Sequence, residues 1–556
     1  MAAVNMRRDI SGWSIRWDDD QAERLRGEGW WTGKTIADYA RERVAATPDK
    51  VLVVERERAF TVGQLWDEAN TLARALVARG LRPGDTITFQ LPNWAEAVVI
   101  NLAAALAGLV VHPIIPIYRD AETAFMLRDC RSKLIFLPRE FRGFDYVEMI
   151  DRVSDKLEAP VEVVVVRGDP GRHRSYADLL ASAPADAGEL PGADPDAVKL
   201  IMYTSGTTGR AKGVLHTHNS LQAENVARIR HLGLGPDDVM FNPTPVTHVT
   251  GYLYSLVLPW MAGLQTVMLD VWEAELGLGM MRRRGCTGTV AATIFLQQLV
   301  AAAKSQGESL PALRFFLCGG AQVPPDLIRE AAATFPNCAP ARIYGSTEVP
   351  CITAGVNARA MLEQGAETDG ELCFGEARIV DAATGAPVAP GGEGEIIARA
   401  PQMFVGYARD EDNAGAFDPD GFFHMGDLGR FVEGRFIVVT GRKKDIIIRA
   451  GENISPKEVE DILLGHPDID DIAIVAMPDE RTGEAACAFV IPKPGRRVEL
   501  PEIRRYLVGA GLAMQKIPER VELVTEFPRT AVGKVRKDIL RDRAKGLRRA
   551  PTQTQA

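Results

Sequence analysis

Leu200-Ile-Met-Tyr-Thr-Ser-Gly-Thr-Thr-Gly-Arg-Ala-Lys-Gly-Val214 is the stretch from which the rest of the chain is read. Its apolar start, Leu200 to Tyr203, has strand character and runs straight into Thr204-Ser205-Gly206-Thr207-Thr208-Gly209, then Lys212 and Gly213. Glycines let a backbone approach a bulky anion, hydroxyls and N–H groups donate to it, and a lysine supplies charge. These are the requirements of a polyphosphate cradle. The Walker spacing, Gly-x4-Gly-Lys-Ser/Thr, is absent, because Lys212 lies three residues beyond Gly209 and precedes Gly213. A surface turn shares the composition, but seldom gathers four hydroxyls, three glycines and a lysine beside a buried strand.

At 556 residues the chain is too long for one core, and three or four domain-sized units are expected. A composition of 46% hydrophobic and 25% charged residues is that of an ordinary globular protein. A net charge of −9, with no basic stripe before Arg541, Arg543, Lys545, Arg548 and Arg549, argues against nucleic acid as a partner. That basic run reads as a solvated tail. The seven cysteines are scattered without a Cys-x-x-Cys pair, which suggests reduced thiols and a cytoplasmic location rather than a disulfide frame or zinc site. No signal peptide is indicated. Ala97 to Ile117 is apolar, yet Asn101, Gly108, His112, Pro113 and Pro116 make it a buried helix to Ala107, a Gly108 cap and a buried strand. No transmembrane segment is expected.

Around the opening stretch the chain is organised in α/β fashion. Residues 1–35 form a Trp-rich arm (Trp13, Trp17, Trp30, Trp31), expected to be strapped to the body. Thr35 to Ala45 has helical spacing, Val51 to Thr61 reads as a hairpin, and Gln64 to Arg79 as an amphipathic helix ending at Gly80. Short Val/Ile-rich strands then alternate with helices, as a largely parallel layered unit requires. Residues 371–440 read as a small β subdomain with turns such as Pro390-Gly-Gly-Glu-Gly394. Pro456 to about Ala544 reads as a separate α/β domain. The fold class is therefore α/β: a large N-terminal domain of layered subdomains plus a small β subdomain, with a smaller C-terminal domain.

Four further motifs carry chemistry. In Tyr344-Gly345-Ser346-Thr347-Glu348 an aromatic face suits a base, and a carboxylate beside a hydroxyl suits Mg²⁺. Gly421-Phe-Phe-His-Met-Gly-Asp427 ends in an acid suited to a ribose diol; alone it reads as an Asx turn. Gly441-Arg-Lys-Lys-Asp445 leads through an apolar run to Gly451 and Ser455 at a domain boundary, as a charged edge or a hinge. Pro528-Arg-Thr-Ala-Val-Gly-Lys534 would hold a lysine at a loop tip.

In this order, from about Thr35 to Lys537, the motifs resemble those of the acyl-adenylate-forming superfamily of acyl-CoA synthetases, peptide-synthetase adenylation domains and beetle luciferases. The resemblance implies that Thr204, Ser205, Gly206, Thr207, Thr208, Gly209 and Lys212 cradle the β,γ-phosphates, with Lys212 and Thr204 catalytic. It places Gly320, Ala321, Gln322 and Tyr344 at the adenine site, Gly345 and Ser346 among the nucleotide-binding residues and Thr347 at the α-phosphate. Glu348, with Thr204, would hold Mg²⁺. Asp427 and Arg442 would bind the ribose, and Lys534 would bridge the acyl carboxylate and the ribose and phosphate oxygens. Lys444 falls at the hinge of a mobile small domain, which would bring Gly451 near a thiol tunnel. The implied domains are an arm (1–35), a large domain (36–443) and a small one (444–556). His248, in a loose Pro245-Val-Thr-His248 version of the family element, would gate the acyl pocket. Phe422 and Met425 replace the commoner Trp and Thr, and Asn453 replaces the arginine of some acetate-specific members.

The implied reaction joins a carboxylic acid to CoA through acyl-AMP, using Mg·ATP. The expected pocket (Val246 to Gly251, Phe295, Leu317 to Gly319, Val349 to Ile352) is apolar, with no Lys or Arg for a second carboxylate and no acid for an α-amine. This points to a medium-chain, alicyclic or aromatic monocarboxylate. Two alternatives stand beside it. One is an enzyme loading an amino or aryl acid onto a carrier protein, disfavoured because no Leu-Gly-Gly-x-Ser module follows. The other is a non-catalytic nucleotide-binding protein, expected to lack Lys534 or Glu348. The partners expected are the acid, ATP and CoA, with no nucleic acid; a homodimer is left open.

Overall fold

Ala95–Leu106 is the helix on which the largest core is built, and all its residues but Glu96 are buried. Such an all-round apolar helix is stable only when covered on every side. A computed structural model of the chain describes residues 5–185, 188–204, 210–320, 323–449, 452–479, 481–530 and 533–547, without the side chains of 452 and 453. Gly108 follows the helix in the left-handed region (φ +71°), where a Cβ would also lie 2.4 Å from the Gly192 carbonyl oxygen. Strand Val110–Pro113 comes next, as the sequence predicts. Among the described residues no helix is long and apolar enough to cross a membrane.

Two sheets flank this helical layer. The first has eight strands, ordered Arg174–Ser175, Glu162–Val165, Leu134–Leu137, Thr86–Phe89, Val110–Pro113, Val198–Thr204, Lys212–Thr217 and Gly406–Tyr407. It is parallel up to Val198–Thr204; the last two strands join antiparallel. The second has seven strands, parallel from Ala339–Arg342 through Phe315–Gly319, Gly288–Ala292, Val239–Asn242 and Gln265–Met268 to Val51–Glu55, with Arg58–Thr61 closing it antiparallel. One core contains residues of both sheets, among them Ile87, Phe89, Met240 and Leu317, together with Leu102 and Trp260.

The expected β subdomain is a four-stranded antiparallel sheet of Glu376–Val380, Gly394–Arg399, Phe423–Val432 and Phe436–Arg442. Beyond it, a one-turn 3-10 helix, Lys443–Asp445, leads to a five-stranded sheet with cores of its own around Val459, Ile474 and Phe489. The α/β class, with a large N-terminal and a small C-terminal domain, follows from these layers. The arm is a hairpin, Asn5–Arg8 with Ser14–Trp17, followed by helix Asp19–Gly27.

The reading of Arg541 as part of a solvated tail is corrected. It lies in helix Lys537–Ala544 and pairs with Asp445 at 2.6 Å. A charge run says nothing about an acid 96 residues away that folding brings beside it. Arg548 and Arg549 lie outside the described residues.

Candidate active site

The phosphate-loop residues join two antiparallel strands. Thr204 ends Val198–Thr204, Lys212 begins Lys212–Thr217, and the two are register partners. A hairpin therefore presents this loop, not the strand-to-helix turn of a Walker site. Lys212 sits 4.8 Å from the centre of the Tyr407 ring and 3.7 Å from Asp412. Arg210 lies 3.3 Å from the same aspartate. Ser205, Gly206, Thr207, Thr208 and Gly209 lie outside the described residues, as do Ala321, Gln322 and Gly451.

Tyr344 to Glu348 follows the edge strand Ala339–Arg342. Gly345 is required by packing: a Cβ there would lie 2.2 Å from the Cys351 nitrogen. Ser346 and Val349 exchange hydrogen bonds that tighten the turn. The Thr353 hydroxyl accepts from the Tyr344 N–H at 2.8 Å. His216 fixes Thr347 from below, its Nε2–H donating to the Thr347 carbonyl at 2.8 Å. Burial pulls this imidazole down to about 4, so it is neutral, and the carbonyl selects the tautomer because it can only accept. Gly320, at φ +81°, follows strand Phe315–Gly319.

Three motifs meet at Asp427. The Tyr344 hydroxyl donates to its Oδ2 at 2.7 Å, and Arg442 Nε lies 3.1 Å from its Oδ1. Asp427 and Arg442 are cross-strand neighbours, so the pair belongs to the ladder and Asp427 is not an Asx cap. Lys534, from the C-terminal domain, lies within electrostatic reach of Asp427, Arg442, Asp445 and Lys444. Burial, helped by Arg442, lowers its pKa to about 7, against the pull of Asp427 and Asp445. The C-terminal domain thus places one lysine within reach of the Asp427 carboxylate and the Arg442 guanidinium of the large domain.

Glu348 is half-buried, and its carboxylate accepts from the Tyr407 hydroxyl at 2.9 Å. A carboxylate is a hard oxygen donor that would suit a Mg²⁺ ion keeping waters and substrate phosphates as its other ligands; Thr204 is the second donor that the family resemblance implies. Among the described residues no group of three or more His, Cys, Asp or Glu is placed to hold a metal unaided. His248 caps the short helix Val249–Tyr252 and accepts from Thr250 N–H at 3.4 Å. Burial lowers it to about 4, and it makes no hydrogen bond to the other motifs among the described residues.

Sequence reasoning missed Tyr407, Asp412 and His216, and it missed a buried charge pair. Glu224 and Arg228, both fully buried, pair at 3.0 Å. Glu224 also accepts from Tyr254 at 2.6 Å, and Tyr254 lies 3.8 Å from Cys351. The expectation of a pocket with no Lys or Arg for a second carboxylate and no acid for an α-amine did not include this pair, which lies one side chain behind Cys351. Their i,i+4 spacing is that of any exposed helical pair, so sequence alone gave no signal.

Comparison with known proteins gives the family. Residues 40–408 match the AMP-binding enzyme family and residues 458–534 its C-terminal domain. The chain is 37% identical over 535 residues to a medium-chain fatty-acid–CoA ligase of Escherichia coli (strain K12), covering 95% of this chain and 94% of that one. It is 29% identical over 541 residues to a 2,3-dihydroxybenzoate-AMP ligase of Bacillus subtilis (strain 168), covering 95% and 96%. The crystal structure of ATP-bound MatB from Rhodopseudomonas palustris superposes with a TM-score of 0.81 at 28% identity, covering 92% of this chain and 99% of that one. The chain belongs to the AMP-binding enzyme family and is a ligase of its acyl-adenylate-forming kind.

Proposed function

We propose that the protein activates a medium-chain, alicyclic or aromatic monocarboxylate with Mg·ATP and transfers the acyl group to CoA. The observation that carries this reading is the approach of Lys534 to the Tyr344–Asp427–Arg442 cluster. In the first half-reaction the carboxylate attacks the α-phosphorus, forming the acyl–phosphate bond as the bond to pyrophosphate breaks. In the second the CoA thiol attacks the acyl carbon, AMP leaves and the thiol proton is released to solvent. No protein nucleophile takes part, so rate enhancement comes from positioning and from charge placed where charge develops.

Thr204, Ser205, Thr207, Thr208 and Lys212 hold the β,γ-phosphates. Gly320, Ala321, Gln322 and Tyr344 receive the adenine, and Thr347 faces the α-phosphate. Asp427 accepts from the ribose hydroxyls beside Arg442. Mg²⁺, held by Glu348 with Thr204, supplies countercharge to the phosphates when bound. Lys534 donates to the carboxylate and phosphate oxygens, and His248 borders the acyl pocket. The small domain, 444–556, turns about Lys444 between the two steps, carrying Lys534 away and Gly451 in.

The acid class is supported by the apolar, buried character of Val246, Val349 and Ile352, which the expected pocket includes. The Glu224–Arg228 pair neutralises itself and leaves no net charge for a second ionised group. The fatty-acid and aryl-acid names of the relatives fall within the same class. Product analysis by mass spectrometry, with ATP, Mg²⁺, CoA and a panel of straight-chain, cyclic, aryl and amino acids, tests the proposal. AMP with an acyl-CoA from the first three groups is expected. Acyl-AMP without thioester would point instead to a carrier-protein acceptor.

A further inference from the structure

Tyr407 touches both charged groups assigned to the ATP phosphates. Its hydroxyl donates to Glu348 Oε1 at 2.9 Å, and its ring lies 4.8 Å from Lys212 Nζ. No other hydrogen bond reaches the Glu348 carboxylate among the described residues. The ring is held from several sides. Gly406–Tyr407 is a strand paired with Lys212–Thr217, with Tyr407 opposite Val214. The Asn413 amide accepts from the Tyr407 N–H at 2.8 Å and donates to its carbonyl at 3.1 Å. Gly406 takes φ +129°, which a side chain rarely adopts. Phe404 packs edge-on against the ring at 4.8 Å, and its own N–H donates to the Glu348 carbonyl at 2.8 Å. Backbone and side chain of Glu348 are thus both anchored to the segment 404–407.

We propose that Tyr407 is a positioning residue: its hydroxyl holds one Glu348 oxygen so that the other faces a divalent cation on the ATP phosphates, while its ring keeps Lys212 over them. The inference rests on Glu348 being the metal acid. A hydrogen-bonded carboxylate cannot rotate freely, so its open oxygen is presented without an ordering cost when the cation arrives. Partners of this kind, one bond removed from the metal, typically change metal affinity by about 10- to 100-fold. A single neutral hydroxyl belongs at the lower end.

The test titrates Mn²⁺ into the full chain with α,β-methylene-ATP, reading bound metal by electron paramagnetic resonance, for wild type, Tyr407→Phe, Tyr407→Leu and Glu348→Gln. The expected result is about a tenfold weaker Mn²⁺ affinity in Tyr407→Phe, with metal-free nucleotide binding and the KM for the acid unchanged. Tyr407→Leu, which also loses the ring under Lys212, weakens metal-free nucleotide binding as well. Unchanged or tighter Mn²⁺ binding in Tyr407→Phe, while Glu348→Gln weakens it, overturns the role of Tyr407 alone. Unchanged binding in Glu348→Gln removes the metal assignment itself, and with it the inference.

Discussion

In the proposed reaction, Lys534 is the residue on which the first half-reaction turns. Two unit charges attract by about 4 kcal/mol at 4 Å and an effective dielectric of 20, and by less than about 2 kcal/mol at 10 Å. The larger figure corresponds to about a thousandfold in rate. Lys534→Ala is therefore expected to slow acyl-AMP formation by about that factor, while thiolysis of supplied acyl-AMP continues. Normal adenylation by this variant would refute the assignment. The pH dependence has a definite sign. Burial lowers Lys534 to about 7, so the cation that catalysis needs is present below that pH and lost above it. The kcat/KM for adenylation reports the free enzyme and should fall on an alkaline limb beginning near this value. Lys534→Arg, charged throughout, should lack the limb; a profile unchanged between the two would show that another group sets it.

Among elements, the decisive one is the 3-10 turn Lys443–Asp445, a single turn between two sheets. Short 3-10 segments commonly serve as connectors, and proline fixes φ and removes a donor. Lys444→Pro should slow thioester formation at least tenfold while leaving pyrophosphate release within about twofold. Equal losses in both half-reactions would sink the hinge. How much could be read in advance follows from the same contrast between local and distant. That Tyr344, Asp427, Arg442 and Lys534 come together was legible because each sits in an ordered local motif whose residue types have no cheaper explanation together. Strands of the parallel sheets were legible from short apolar runs, and Ala95–Leu106 from its length and its Gly108 stop. Tyr407 and His216 were not, since each is one position in a strand and its role depends on a partner 59 or 131 residues away. Arg541 and Glu224 were misread or missed because charge on a helix looks solvated until the fold buries it.

At the scale of the whole molecule, the arm is what joins the beginning of the chain to the site. The Arg16 N–H donates to the Val405 carbonyl at 2.7 Å, and the indole N–H of Trp31 donates to that of Pro401 at 2.9 Å. Arg16 also lies 3.4 Å over Phe417, which stacks on Phe404 at 5.3 Å. The two hydrogen bonds end on residues 401–405, which lead to Tyr407, and Phe417 reaches the same segment through Phe404. Trp31 is buried against Trp17, with ring centres 5.7 Å apart. Trp31→Ala should cost about 3 kcal/mol, the low end for a buried aromatic, and lower the thermal midpoint. Its effect on function should be confined to the nucleotide: KM for ATP rises, while KM for the acid holds. Amide hydrogen exchange locates the cause, because loosening of the strap should speed exchange in residues 401–408 and leave strand Gly288–Ala292, remote in the second sheet, as slow as before. Uniformly faster exchange would mean that the arm stabilises the body as a whole. Unchanged exchange in 401–408 would mean that the first sheet alone holds the segment in place.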